Sequence, residues 1–428
     1  MRTPICETLG IEFPLFAFSH CRDVVAAVTN AGGFGVLGAL TFTPEQLDEE
    51  LTWIDAHTGG RPYGVDIVIP AKYVGREAGD MSNVDLKKMI PPEVSKFLND
   101  LLAKHEVPEL PEGFGGFSEM LGWSAGGGRA HLEVAMKHPI RLLVNALGPP
   151  PEDVIELAHA QGILVGALVG TPEQARKQKQ VGVDIIIASG TEAGGHTGEV
   201  ASMVLTPQCV DAVAPTPVLT AGGVGTGRQL AAALCLGAQG AWTGSIWLTT
   251  NESEEAESLI EKLLAATSSD TLRSRCLTGK PARQLKTTYT MAWEADDAPD
   301  PLPMPLQFMA VADANNRIWK HSQTNHRTAG DLTGIAVGQI VGMMNKRRPA
   351  REVVTSIVTE CAEVLEAQAE LLARSDLRGG VAGHRLTVAD RRAPARRSWH
   401  RLRRRAPMCS SFCTTERRST SARSTAAS

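Results

Sequence analysis

Eight times between residues 14 and 248 a short apolar run is followed by a segment of helical character or a glycine-rich turn. That alternation limits the chain to folds built from βαβ units on a parallel sheet. The runs are PLFAFS (14–19), FGVLGAL (34–40), YGVDIVI (63–69), IRLLVNAL (140–147), ILVGALV (163–169), VDIIIA (183–188), PVLTAG (217–222) and GAWTGSIWL (240–248). Helical segments open on Thr43-Pro44-Glu45-Gln46, on PPEDVIEL and on TPEQARK, and several end in glycine, at Gly162, Gly182 and Gly237. Such openings supply cap acceptors and a pre-set first turn, and a terminal glycine accepts the left-handed geometry of a helix end. Eight units spread over about 250 residues predict an α/β fold, a (β/α)8 TIM barrel, with a doubly wound sheet as the alternative. Gly33-Phe34-Gly35-Val36-Leu37-Gly38 matches the dinucleotide pattern G-x-G-x-x-G. Its glycines follow a helix and lie inside a strand, so the reading is a close strand–helix approach rather than a nucleotide loop.

The same pattern sets the expected domains. The barrel takes residues 1–69 and 140–345, and an inserted segment at 70–139, which includes GFGGFSEMLGWSAGGGR, reads as a lid or a dimer contact. An amphipathic helix, REVVTSIVTECAEVLEAQAELLARS, fills most of 346–374. From Ser375 onward the composition changes: thirteen Arg, no Lys and three acids give a balance of +10 against −14 upstream. This basic tail reads as disordered. A nucleic-acid or anionic-surface arm and an out-of-frame extension are its alternatives, and nucleic acid is not an expected partner of the barrel.

Several classes are excluded by composition. No apolar run reaches the roughly 18 residues that a membrane helix needs. The opening MRTPICETLGIEF has neither a basic leader nor an apolar stretch, which favours the cytoplasm. The eight Cys are scattered, without a CxxC pair or a neighbouring His at ligand spacing, so neither a disulfide framework nor a metal site is expected.

In a barrel of this kind the active site sits at the carboxyl ends of the strands, with phosphate held after strands seven and eight. Strand seven leads into Thr220-Ala221-Gly222-Gly223-Val224-Gly225-Thr226-Gly227-Arg228, and strand eight into Trp242-Thr243-Gly244-Ser245. Bare backbone N–H groups at those two turns could hold one phosphate between them. After strand six, ASGTEAGGHTGEV (188–200) places Gly194, Gly195 and a single His196 where a buried strand would otherwise run into packing residues.

GTEAGGH, AGGVG, GAQGAWTGSIWL and the opening VVAAVTNAGGFGVLG together resemble the nitronate monooxygenase family, formerly called 2-nitropropane dioxygenases, over roughly residues 4–345. The resemblance implies a barrel binding FMN without a covalent link, a small-molecule substrate, O2 as co-substrate and His196 as the catalytic residue. It places Ala17, Phe18 and Ser19 against the ring. It assigns flavin contacts, largely through backbone, to Gly194, Gly195, Gly222, Gly223, Trp242, Thr243, Gly244 and Ser245. Two glycines would let the backbone pass a flat cofactor while His196 reaches its substrate face, with Glu192 orienting the loop or His196. A homodimer is possible in this reading.

Some positions depart from the family pattern. Asp66 stands where Asn is common and would put negative charge near a polar edge of the flavin. Ser189 stands where Gln is common and shortens a ring contact. AFSHCR replaces a PMAGG-type turn, adding His20 and Cys21, for which packing is the favoured role. The rival reading is a flavin-dependent enoyl-acyl-carrier-protein reductase that uses NAD(P)H and shares the Gly-Gly-His loop. A flavin-binding protein without turnover is the third.

Overall fold

Eight parallel strands close on themselves around the chain's innermost side chains. In the computed structural model, which describes residues 2–69, 83–111, 125–324 and 327–374, they are β1 (Leu15–Ser19), β2 (Phe34–Gly38), β3 (Gly64–Ile67), β4 (Leu142–Asn145), β5 (Leu164–Val169), β6 (Ile185–Ser189), β8 (Val218–Ala221) and β9 (Gly240–Thr243). Each pairs with the next and β9 returns to β1, through Phe16 opposite Trp242 and Ala17 opposite Thr243. The protein is a (β/α)8 barrel. The expected eighth run is shorter than its sequence suggests: after Thr243 the chain turns through a 3-10 segment, Ser245–Trp247, and the Trp247 indole donates to the Thr243 carbonyl at 3.0 Å.

Side chains alternate between the two faces of each strand, and the core clusters show which face is which. Phe16, Phe34, Val36, Leu142, Val144, Ile185, Ile187, Leu219, Ala221 and Trp242 form the barrel interior, closed at its amino-terminal end by Ile5, Cys6 and Leu9 of the helix Pro4–Leu9. Leu15, Ala17, Val65 and Ile67 instead join the layers between strands and surrounding helices. The helix Arg22–Asn30 lies close on β2. A Cβ on Gly35 would collide with the Val25 carbonyl, and the Gly35 N–H donates to Thr29 Oγ1 at 3.2 Å. The glycines of the apparent dinucleotide pattern therefore serve strand–helix contact.

A second, smaller sheet stands beside the barrel: β10 (Thr271–Ser274), β11 (Ala282–Leu285) and the two-residue β7 (Gly195–His196), all antiparallel. Near it the helices Pro92–Lys104, Thr288–Trp293 and Leu306–Ser322 share a core of their own, built on Leu98, Leu102, Tyr289, Trp293, Val311 and Ile318. The helix Ala125–Ala135 contributes Leu132 and Val134 to the layer outside β3 and β4. Most of GFGGFSEMLGWSAGGGR, and the whole of 375–428, lie outside the described residues. The chain divides into two units, residues 1–369 and 370–428. Of the second, only residues 370–374 are described, as the end of the helix Ala350–Arg374. Among the described residues no helix is long and apolar enough to cross a membrane.

Candidate active site

At the carboxyl ends of the strands, alternation decides which predicted residues face the barrel mouth. Phe18, Asp66, Ser189 and Trp242 share their strand's inward parity with Phe16, Gly64, Ile187 and Gly240. Ala17 packs outward, and Thr243 spends its hydroxyl on the Phe16 carbonyl at 2.7 Å, so these two can face the mouth only with backbone. The Phe18 ring lies over Trp242, with centroids 6.1 Å apart, and meets His20 edge-on at 5.1 Å. His20 Nδ1 donates to the Gly38 carbonyl at 2.9 Å, and burial lowers its pKa. Cys21 is also committed to packing. Its thiol donates to the Glu252 carbonyl at 3.0 Å, and burial pushes its pKa up to about 11. Its sulfur lies within 4.8 Å of ligand atoms of Asp23 and Glu254.

Asp66 bears on one expectation. The carboxyl is buried, and desolvation raises its pKa well above the ordinary carboxylate range. Burial thus favours the uncharged form of this acid over the negative charge that its letter suggests. Asn145, at the end of β4, was not foreseen from sequence. Its Oδ1 accepts from the Ile69 N–H at 2.8 Å and its Nδ2 donates to the Gly148 carbonyl at 3.1 Å, pinning the segment after β3 to β4.

The loop from β6 to β7 is locked rather than loose. Glu192 accepts from the backbone N–H and the hydroxyl of Ser202, capping the helix Ser202–Val213; it orients the loop, and no contact to His196 is seen among the described residues. A Cβ on Gly194 would sit 2.9 Å from Gly338 N and from Val337, so this glycine admits a crossing backbone strap. The Gly338 N–H in turn donates to Ser245 Oγ at 2.9 Å. Gly195, at φ 76°, has open space where a side chain would be. Gly222 and Gly223 also have positive φ, and Gly222 approaches Ala193 so closely that a Cβ would meet its Cβ at 2.8 Å. The β6, β8 and β9 turns thus interlock at 192–194, 222–223, 245 and 338.

Part of the expected phosphate turn is already engaged. The N–H groups of Gly225 and Thr226 donate to Gln229 Oε1 at 2.9 and 3.0 Å, and that of Gly227 donates to Glu360 Oε2 at 2.6 Å. An anion would therefore have to use the Gly222–Val224 and Gly244–Ser245 backbone instead.

His196 itself sits on β7, opposite Ala282 of β11, while Gly195 is opposite Arg283. Arg283 anchors this edge through its Nε–H to the Thr191 carbonyl at 2.9 Å and a guanidinium N–H to Thr271 Oγ1 at 3.0 Å. His196 Nδ1 lies 3.3 Å from the Pro281 carbonyl. A carbonyl can only accept, so Nδ1 carries the proton and Nε2 is the basic nitrogen. Nε2 is 3.4 Å from the Thr278 hydroxyl. Burial lowers the His196 pKa, the Pro281 contact partly opposes this, and the charge of Lys280 lowers it further. Lys280 is itself partly desolvated, which lowers its own pKa. The Thr278–Pro281 segment escapes a reading centred on strand ends. Its signal is the pair of short alternating runs around Gly279-Lys280-Pro281, a hairpin pattern.

Among the described residues, one cavity adjoins these elements and another lies away from them. One, about 510 Å³, is lined by Arg273, Arg275, Pro281, Trp293, Asp296 and Asp300, and so adjoins the carbonyl that holds His196. The other, about 430 Å³, lies among Gly10, Thr58, Tyr63 and Arg141, at the amino-terminal ends of β3 and β4, away from the catalytic candidates.

With this geometry in place, comparison with known proteins assigns the class. The nitronate monooxygenase family profile matches residues 3–360, and the chain belongs to that family. It is an enzyme, a flavin-dependent oxidoreductase. It is 53% identical over 365 residues to a Mycobacterium tuberculosis protein named "Putative monooxygenase Rv1533", covering 84% of this chain and 96% of that one. It is 28% identical over 362 residues to a "Probable nitronate monooxygenase" of Staphylococcus haemolyticus, covering 80% and 95%. Among solved structures, a nitroalkane oxidase from Streptomyces ansochromogenes superimposes with a TM-score of 0.69 at 26% identity, covering 85% of this chain and 99% of that one. FabK from Thermotoga maritima shares the fold, with a TM-score of 0.65 at 23% identity and coverage of 87% and 99%.

Proposed function

We propose that the protein oxidises alkyl nitronates, or the nitroalkanes from which they form, using FMN and O2, with His196 as the catalytic residue. The observation that carries this reading is the setting of His196: its Nδ1 lies against the Pro281 carbonyl, which can only accept, and burial favours the neutral imidazole. A neutral imidazole can take the proton from the carbon beside a nitro group; the C–H bond breaks toward Nε2 and its electron pair stays on the substrate as the nitronate. FMN, when bound, supplies the electron transfer between substrate and O2.

The residues present fit such a cofactor. Phe18, Asp66, Ser189 and Trp242 face the mouth where a flat ring would lie, Gly195 leaves open space beside His196, and Gly223, Gly244 and Ser245 offer backbone to a phosphate. Of the expected insertion 70–139, the helix Ala125–Ala135 packs on the barrel wall, and a lid or a dimer contact is proposed only for the part that precedes it. The nitroalkane oxidase among the structural relatives supports nitro chemistry.

The test begins with purification without added flavin, release and identification of any yellow cofactor, and O2 uptake with a nitronate. Released FMN and nitronate-dependent uptake are expected. Oxidation of NAD(P)H dependent on an enoyl thioester, with no response to nitronate, would replace this reading by the reductase one. A colourless protein that takes up no FMN would end both.

A further inference from the structure

Asp66 presents a buried acid to the inside of the barrel mouth without a counterpart. Its outward neighbours Val65 and Ile67 pack into the helix layer, so its carboxyl points the other way. It is 5% exposed, and among the described residues no cation or hydrogen-bond donor is found at it. The groups around it do not compensate. From β2 its register partner is Gly38, whose carbonyl is taken by His20, a ring that burial keeps neutral. From β4 come Val144 and the amide of Asn145, which is committed to Ile69 and Gly148. The helix Ala125–Ala135, on the outer side of β3, brings His131, whose Nε2 faces the Phe42 carbonyl at 2.8 Å and whose pKa is also lowered by burial. A carboxyl held here without a protein partner leaves its donor and acceptor sites to whatever occupies the mouth.

We propose that Asp66 holds the flavin ring as a neutral carboxylic acid, its O–H donating to a ring carbonyl and its C=O accepting from the ring's imide N–H. This rests on the flavin reading above. An imide edge presents acceptor, donor and acceptor in a row, and a protonated carboxyl matches two of the three, whereas a carboxylate matches one and sets its second oxygen against a carbonyl. Burial favours the uncharged acid that this pairing uses. Flavin retention then depends on pH in one direction. Binding selects the protonated form, and affinity falls as pH rises through the pKa of Asp66.

The experiment measures the Kd of riboflavin for the full chain and for Asp66→Asn between about pH 6 and pH 9, a window above the ordinary carboxylate range. Riboflavin lacks the phosphate, whose second ionisation near pH 6 would otherwise confuse the profile. The wild-type Kd is expected to rise with pH, by up to about tenfold per unit once Asp66 ionises. Asp66→Asn offers the same donor and acceptor with no proton to lose and should be flat. An infrared carboxylic C=O band, absent in Asp66→Asn and shifted when riboflavin binds, gives a second readout on the unmodified protein. A wild-type profile as flat as the variant's, or a band that riboflavin leaves in place, overturns the proposal while leaving the flavin reading intact. Failure of both proteins to bind riboflavin and FMN at any pH overturns the flavin reading, and this inference with it.

Discussion

The barrel wall and the small sheet beside it place the candidate residues by different physics. Each barrel strand is buried on both faces and paired on both edges, so Phe18, Asp66, Ser189 and Trp242 are placed by alternation along strands the whole core supports. β7 is two residues long and meets one partner, β11, far along the chain. Its place depends on close backbone contact at Gly194 and on the Arg283 anchor. The wall therefore forms a platform, and the small sheet carries His196 on a separate support.

That division can be broken most directly at His196. The His196→Asn variant is expected to lose about 10²–10⁴-fold in kcat/KM for a nitroalkane, measured as O2 uptake, with unchanged flavin content by absorbance. Loss of flavin along with activity would move His196 into the platform. Next in size is Gly194→Ala, whose new Cβ would crowd Gly338 and Val337. It should lower stability by about 1–3 kcal/mol in thermal melts and raise KM. Gly195→Ala meets no neighbour and should cost about 1–2 kcal/mol through its positive φ alone.

The pH profile sharpens the comparison further. With His196 in the proposed role of neutral base, kcat/KM should be constant above its pKa and fall as pH drops through it. Burial, and secondarily Lys280, place that limb below the ordinary value of about 6.5. Lys280→Gln should move the limb upward, a change of roughly a few-fold in activity at low pH, with flavin affinity unaffected. The smallest effect belongs to Glu360→Gln. The Gly227 N–H keeps an oxygen acceptor, and only the largely exposed pair with Arg228 is lost, so melts should shift by about 0.2–1 kcal/mol.

The platform was legible because its signals are local. Apolar runs gave the strands, and Thr43 with Gln46 forms the capping box that its spacing announces. The turns after the strands that become β8 and β9 lie where phosphate-binding barrels place them. The element that carries His196 was not legible, since β7, β10 and β11 are two to four residues long and pair across large sequence gaps. Glycines beside a histidine read as room for a cofactor. Gly195 keeps such room, whereas Gly194 is spent on the Val337–Gly338 strap, which no local pattern reveals. The charge of Asp66 was hidden from the sequence for a different reason. The alternation Val65, Asp66, Ile67 contains the answer, but an ionisable group's charge follows its burial, and burial is known only once the inward face is assigned.

The antiparallel pairing of Ala282 with His196 has a consequence for how such a chain can vary. Side chains along a strand change face with every residue, so a slip of one position would turn the imidazole to the opposite face of the small sheet. Between β10 and His196's partner lie only residues 275–281, the stretch that sets where β11 begins. Loops elsewhere can lengthen or shorten at little cost, but a single insertion or deletion in this stretch would be expected to leave a folded barrel with its base pointed the wrong way. Lineages that keep the chemistry should therefore hold the length of this stretch fixed even where its letters drift, and a change in that length would mark a relative that has taken up a different reaction.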